Sequence, residues 1–278
     1  MTVPLFVLAL AAALAAPAAT PAPTPEPVLA HDTFTIESKV LGETRRINVY
    51  TPPASHPTGG RGLPVLYMPD GGVEEDFPHV TSDVDAAIRS FEMRPMLVVG
   101  IENTERRRDM TPPTQVESDR KIAPHVGGAA RFRAFLRDEL IPQIEQRYTV
   151  SGQRAIVGES LAGLFILDTV LAEPKLFDTA IVLSPSLWWN DQALVKGAAA
   201  RLRAAPDLEA TLLVAPASDD GTEPEVKLLT EALRTAAPKG LTWTVEPQAE
   251  LKHATIYRGA SPRLFRRLFP PVEHGAGL

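Results

Sequence analysis

The chain has 278 residues, with 28 Lys and Arg against 34 Asp and Glu, a formal net charge of −6, and 44% hydrophobic residues. That balance excludes a disordered or collagen-like chain, and the length suits one large α/β domain with a sizeable core. The mild acidic excess offers nucleic acid or an anionic membrane surface no general attraction, so neither is expected as a partner. Cysteine is absent, which removes disulfides, thiolate nucleophiles and Cys-ligated metal from consideration.

In chain order, residues 5–16 (LFVLALAAALAA) form an apolar run too short to span a bilayer comfortably and suited to the core of a signal peptide. Small residues follow, with A-x-A cleavage candidates at 13–15 and 16–18, although residues 1–4 carry no Lys or Arg. The expectation is a leader over 1–18, a Pro/Ala-rich linker over 19–31 and a single domain over 32–278. The mature protein is then secreted or periplasmic, with no stable membrane insertion once the leader is removed.

Within the domain, 33–39 (TFTIESK) and 45–50 (RRINVY) alternate in polarity and read as half-exposed antiparallel strands. The runs 64–68, 96–101, 154–157, 179–183 and 211–215 are nearly continuous in apolar residues, as in strands covered on both faces; 241–245 (LTWTV) is a further strand. Between them, Phe132, Phe135, Leu136, Leu140 and Ile144 recur at helical spacing over 128–148. Residues 161–171 and 224–237 also read as helices, and 262–268 is amphipathic. Strands alternating with helices imply an α/β fold with a mostly parallel central sheet, helices on both faces and an antiparallel N-terminal edge. In such sheets the reactive groups lie just beyond the carboxyl ends of the strands.

One such end reads RAIVGESLAGL (154–164). Gly158-Glu159-Ser160-Leu161-Ala162 has the form of a nucleophile elbow, where small residues flank a serine held on a sharp strand-to-helix turn. Ser160 would present its hydroxyl there, with the Leu161 N–H turned toward a developing oxyanion. The competing reading is a serine that only caps a helix.

In an α/β-hydrolase the acid and then the base follow the serine along the chain. Of six histidines only His253 and His274 do so, and His274 lies in the terminal HGAGL. His253 is therefore the expected base. The acid is expected in ASDDG, after the run 211–215, with Asp219 favoured over its neighbour Asp220 and Glu223 in reserve. A second oxyanion donor is expected from Gly71 or Gly72, after the strand 64–68.

Arg106, Arg107 and Arg108 also follow a strand. They read either as a positive rim for an anionic or catecholate-like substrate or as a salt-bridged loop. Trp188 and Trp189, after SPS, read either as an apolar wall for an acyl or aromatic group or as a roof on the core. Arg106, Trp188 and Trp189 are the substrate-binding candidates.

The segments LPVLYMPDGG, VVGIENTERRRDMTPP, FLRDELIPQIEQRY, GESLAGLF and SPSLWW, with the late LKHATIY, together resemble the putative esterase family of the α/β-hydrolases, the group of enterochelin esterase-like and esterase D-like proteins. The resemblance runs from about Val49 to Phe269. It implies a serine hydrolase of carboxylic esters working through an acyl-enzyme, with no metal or organic cofactor and a small-molecule ester, siderophore-type among others, as substrate. It maps the nucleophile to Ser160, the base to His253, the oxyanion loop to residues 70–72 and the acid to the Asp219-Asp220 pair. An acyltransferase using the same acyl-enzyme, or a non-catalytic binding protein on the same fold, is the alternative.

Overall fold

A computed structural model describes residues 26–53 and 62–272. The expected leader, the linker up to residue 25 and the tail with His274 lie outside the described residues.

Among the described residues eight strands form one sheet: β1 (Asp32–Ser38), β2 (Glu43–Tyr50), β3 (Leu63–Pro69), β4 (Leu97–Ile101), β5 (Val150–Glu159), β6 (Thr179–Leu183), β7 (Ala210–Ala215) and β8 (Leu241–Val245). Their order is β1-β2-β4-β3-β5-β6-β7-β8. β1 and β2 pair antiparallel, β2 meets β4 antiparallel, and every later pairing is parallel. The alternation in β1 buries Ile36 and leaves Thr35 and Glu37 in water, whereas β4 is buried at every position. Apolar content on one face or on both thus decides which strands sit at the edge and which at the centre.

The helices are α1 (Phe77–Arg89), α2 (Arg106–Met110), α3 (Glu117–Arg120), α4 (Ala129–Phe135), α5 (Ile141–Arg147), α6 (Leu161–Ala172), α7 (Trp189–Ala204), α8 (Glu223–Ala236) and α9 (His253–Leu268). They divide the core in two. One face packs α4 to α8, with Phe132, Phe165, Leu194 and Leu229, against Ile156 and Val182. The other packs α1 and α9, with Phe77, Val84, Ile256 and Phe265, against Val157 and Ile181.

Two helical features differ from the sequence reading. The stretch read as one helix over 128–148 is α4 and α5 joined by a π-helical turn at Leu136–Leu140. Pro142 has no amide to give the Asp138 carbonyl, and the widened turn just before it brings Leu140 and Ile141 both into the core. The amphipathic stretch at 262–268 is only the second half of α9, which begins at His253 and runs through Pro262.

Arg45 on β2 is fully buried between these layers. It pairs with Glu43 and Asp109 and lies over the Phe132 and Phe135 rings, so this inward charge is neutralised and ties α2 to the sheet edge.

Candidate active site

The chain leaves β3 through α1 to β4 on one side, then returns past β3 to β5 on the other. The carboxyl ends of β3 and β5 flank that reversal, where a doubly wound sheet opens a crevice. Ser160 stands there with φ 61° and ψ −120°, a backbone state costing about 1–3 kcal/mol that only surrounding bonds can hold. Its amide donates to the Leu183 carbonyl at 3.0 Å, and its carbonyl accepts from Leu164 and Ser186 amides at 2.9 and 3.1 Å.

The small residues follow from packing. A Cβ on Gly158 would come within 2.7 Å of the Ala162 methyl, and one on Gly163 within 3.0 Å of the Leu183 carbonyl oxygen. The close approach of α6 to the sheet therefore falls on Gly158 and Gly163, which is why Ala162 is tolerated between them. Ser160 Oγ lies 3.3 Å from Ser186 Oγ.

His253 opens α9 across the same edge. Its Nδ1 proton is donated to Asp220 Oδ1 at 2.7 Å, which leaves Nε2 as the free lone pair. The expected partner was Asp219, and the geometry corrects this: Asp219 is exposed and accepts the His253 backbone N–H at 2.7 Å. Asp219 therefore holds the first turn of α9, while Asp220, with its side chain only 6% exposed, faces the ring. Ala217 N–H (3.1 Å) and the Ser184 hydroxyl both donate to Asp220 Oδ2. Ser184 is buried with φ 43° just after β6, and nothing in the motif SPSLWW marks it for this place.

Leu161 opens α6, where an amide has no intrahelical acceptor. The two glycines of the β3 loop are differently placed. Gly71 N–H is committed to the Ile101 carbonyl at 3.0 Å, and a Cβ there would lie 2.3 Å from Gly100 Cα; this glycine serves packing onto β4, which removes it as a donor. Gly72 N–H donates to Glu75 Oε2 at 2.7 Å, and Asn103 holds Glu75 Oε1 at the same distance. Burial raises the Glu75 carboxyl above its ordinary value, against those two hydrogen bonds.

Arg106 makes a two-point pair with Asp70, at 2.6 and 2.9 Å, and Arg108 pairs with Glu43, Glu105 and Asp109. Arg107 donates to the Ile122 carbonyl. The run is a pinned loop and not an open positive rim. The two tryptophans separate: Trp189 is 2% exposed and donates to the Pro112 carbonyl at 2.8 Å, while Trp188 is 44% exposed beside it. Only Trp188 is available as an outer wall.

Glu159, between the last apolar residues of β5 and Ser160, was given no role from sequence. Its Oε1 lies 4.0 Å from His253 Nε2. Burial raises its carboxyl to about 7, opposed by the charge on His253. Among the described residues no cluster of three or more His, Asp or Glu is arranged to hold a metal ion.

A mostly parallel eight-stranded sheet with a strained serine at its switch point and a carboxylate-bound histidine on the same edge defines an α/β-hydrolase. Residues 38–261 match the family described as putative esterase, and the chain belongs to that family. It is 34% identical over 170 residues to the ferri-bacillibactin esterase BesA of Bacillus subtilis, covering 55% of this chain and 58% of that one. It is 33% identical over 153 residues to the siderophore triacetylfusarinine C esterase of Aspergillus fumigatus, covering 51% and 50%. Among solved structures it resembles an IroE-like serine hydrolase from Shewanella oneidensis, with a TM-score of 0.77 and 25% identity over 86% of this chain and 80% of that one. The chain matches between one half and three fifths of the length of these curated relatives.

Proposed function

We propose that the protein hydrolyses carboxylic esters through an acyl-enzyme on Ser160, with His253 as base and Asp220 as its acid. The observation that carries this is the 2.7 Å bond between His253 Nδ1 and Asp220, which leaves Nε2 to take a proton at the sheet edge that also carries Ser160. Ser160 Oγ attacks the ester carbonyl carbon and its proton passes to His253 Nε2; Asp220 stabilises the imidazolium from the far side. Leu161 N–H receives the oxyanion; the Gly72 N–H, the other expected donor, is bonded to Glu75 Oε2. The alkoxide leaves with the proton from Nε2. Water then attacks the acyl carbonyl, Nε2 takes and returns its proton, and Ser160 is freed with release of the acid.

For substrate we propose a siderophore-type lactone, on the strength of the two relatives' names, with Trp188 as an apolar wall beside the acyl group. The leader expected over 1–18 supports a place outside the cytoplasm, and no described helix is long and apolar enough to cross a membrane.

The test is hydrolysis of p-nitrophenyl acetate and of a tricatecholate trilactone, the latter followed as gain of one water per opened ester. Ser160→Ala and His253→Ala are each expected to lower kcat/KM by about a thousandfold or more with the fold intact by circular dichroism. Cleavage of the simple ester with the trilactone untouched would remove the siderophore class. Undiminished hydrolysis by Ser160→Ala would overturn the nucleophile.

A further inference from the structure

The imidazole of His253 is bracketed by carboxylates, with Asp220 at Nδ1 and Glu159 on the Nε2 side. Strand alternation puts Glu159 there: Ile156 and Val157 on β5 point to opposite cores, so Glu159, two residues after Val157, shares the α1/α9 face. His253 begins the helix that covers that face.

We propose that Glu159 is a positioning residue for the base: its carboxylate faces the imidazole edge that takes the Ser160 proton and stabilises the imidazolium formed there. The inference rests on the esterase reading of Ser160 and His253.

Three observations support it. The Glu159 side chain is only 20% exposed, so its charge acts through little water. Among the described residues no side chain hydrogen-bonds its carboxylate; Arg106, the cation at this edge, is spent on Asp70 and reaches only the Glu159 backbone carbonyl, at 3.5 Å. The other groups facing it are acidic or neutral: Asp76 at the start of α1, Asp70 after β3 and Tyr257 on α9. Asp70 and Asp76 push its charged form away, and His253 favours ionisation most, ahead of the more weakly acting Arg106.

The sign follows directly. Glu159 takes up its charge as pH rises through about 7. Above that the anion lowers the energy of the imidazolium that forms as Ser160 attacks; below it the neutral acid does not.

The test compares pH profiles of kcat/KM for p-nitrophenyl acetate in wild type and Glu159→Gln. His253 as base gives both enzymes a rise of rate with pH; wild type is expected to show a further step near pH 7 that Gln lacks, leaving the variant about three- to tenfold slower at pH 8.5. A measurement that needs no turnover accompanies it: the Glu159 carboxyl carbon, followed by NMR, should titrate higher in His253→Ala than in wild type, because the attraction of the imidazolium is gone. Superimposable pH profiles, or a Glu159 titration unmoved in His253→Ala, overturn the positioning role. Full hydrolysis by Ser160→Ala would instead overturn the esterase reading, and the positioning role with it.

Discussion

Asp219 and Asp220 are neighbours with the same side chain and opposite tasks. Asp220 touches the ring and is itself held by Ala217 N–H and Ser184, so its charge and position are fixed together. Among the described residues Asp219 hydrogen-bonds only the His253 amide at the start of α9, a helix-end bond worth about 1 kcal/mol. Asp220→Asn is therefore expected to lower kcat by about 10³–10⁴, since an amide cannot hold the same tautomer. Asp219→Asn, which keeps an acceptor oxygen, is expected to stay within a few-fold of wild type; steady-state kinetics on the two variants checks the order, and equal losses would return the choice to the loop as a whole. Glu159 makes a prediction about stability. Its carboxyl is raised from 4.5 to about 7 in the fold, so the stability linked to its neutral form is fully present below about 4.5 and is lost as pH rises through about 7. A shift of that size sets a ceiling of about 3 kcal/mol, which partial exposure reduces to about 2. Chemical denaturation should accordingly find Glu159→Gln equal to wild type near pH 4 and more stable at pH 8.5; equality at both would mean the carboxylate is solvated.

At the scale of elements, the strands were legible because burial on one face or both writes directly into residue order. β6 and β8 coincide with the runs 179–183 and 241–245, and the alternation of β1 survives in its burial. The elbow was legible for the same reason, since Gly158 and Ser160 sit between a buried strand and an apolar helix. What escaped was set by contacts distant in sequence. Pro262 hides the length of α9, because a proline removes one amide without ending a helix that packs against α1 and the sheet. In α7 the residues Asn190, Asp191 and Gln192 are all left-handed, a run no propensity suggests. It is held from outside: Asp119 accepts the Asn190 amide, Thr114 and the Gln115 amide donate to the Asn190 side chain, and Gln192 donates to Glu225. The choice between Asp219 and Asp220 was hidden likewise, because Ser184, just after β6, helps decide it. Gly71 misled in the opposite sense: a glycine that suggested close approach of a ligand makes room for β4 instead.

Across the whole molecule, the two cores divide the labour. The α4–α8 side carries the elbow helix and its packing, and the α1/α9 side carries His253 and Glu159; both layers end on the sheet's carboxyl edge, where the proposed catalytic groups stand. Space alone does not mark that edge: a cleft of about 650 Å³ lined by Arg154, Leu171, Pro174, Leu176, Arg201 and Pro206 opens at the amino ends of the strands, away from Ser160, and lacks its nucleophile and histidine. Strain, paired charge and a raised carboxyl gather around Ser160 instead, the combination expected of a working site. The most direct test is reaction with a fluorophosphonate, which labels a serine only when a base and an oxyanion site activate it. Intact mass and peptide mapping should show one label per chain, on Ser160, with none on Ser160→Ala and labelling slowed by about a thousandfold in His253→Ala. A label on another residue, or equal labelling of Ser160→Ala, would contradict the account at its centre.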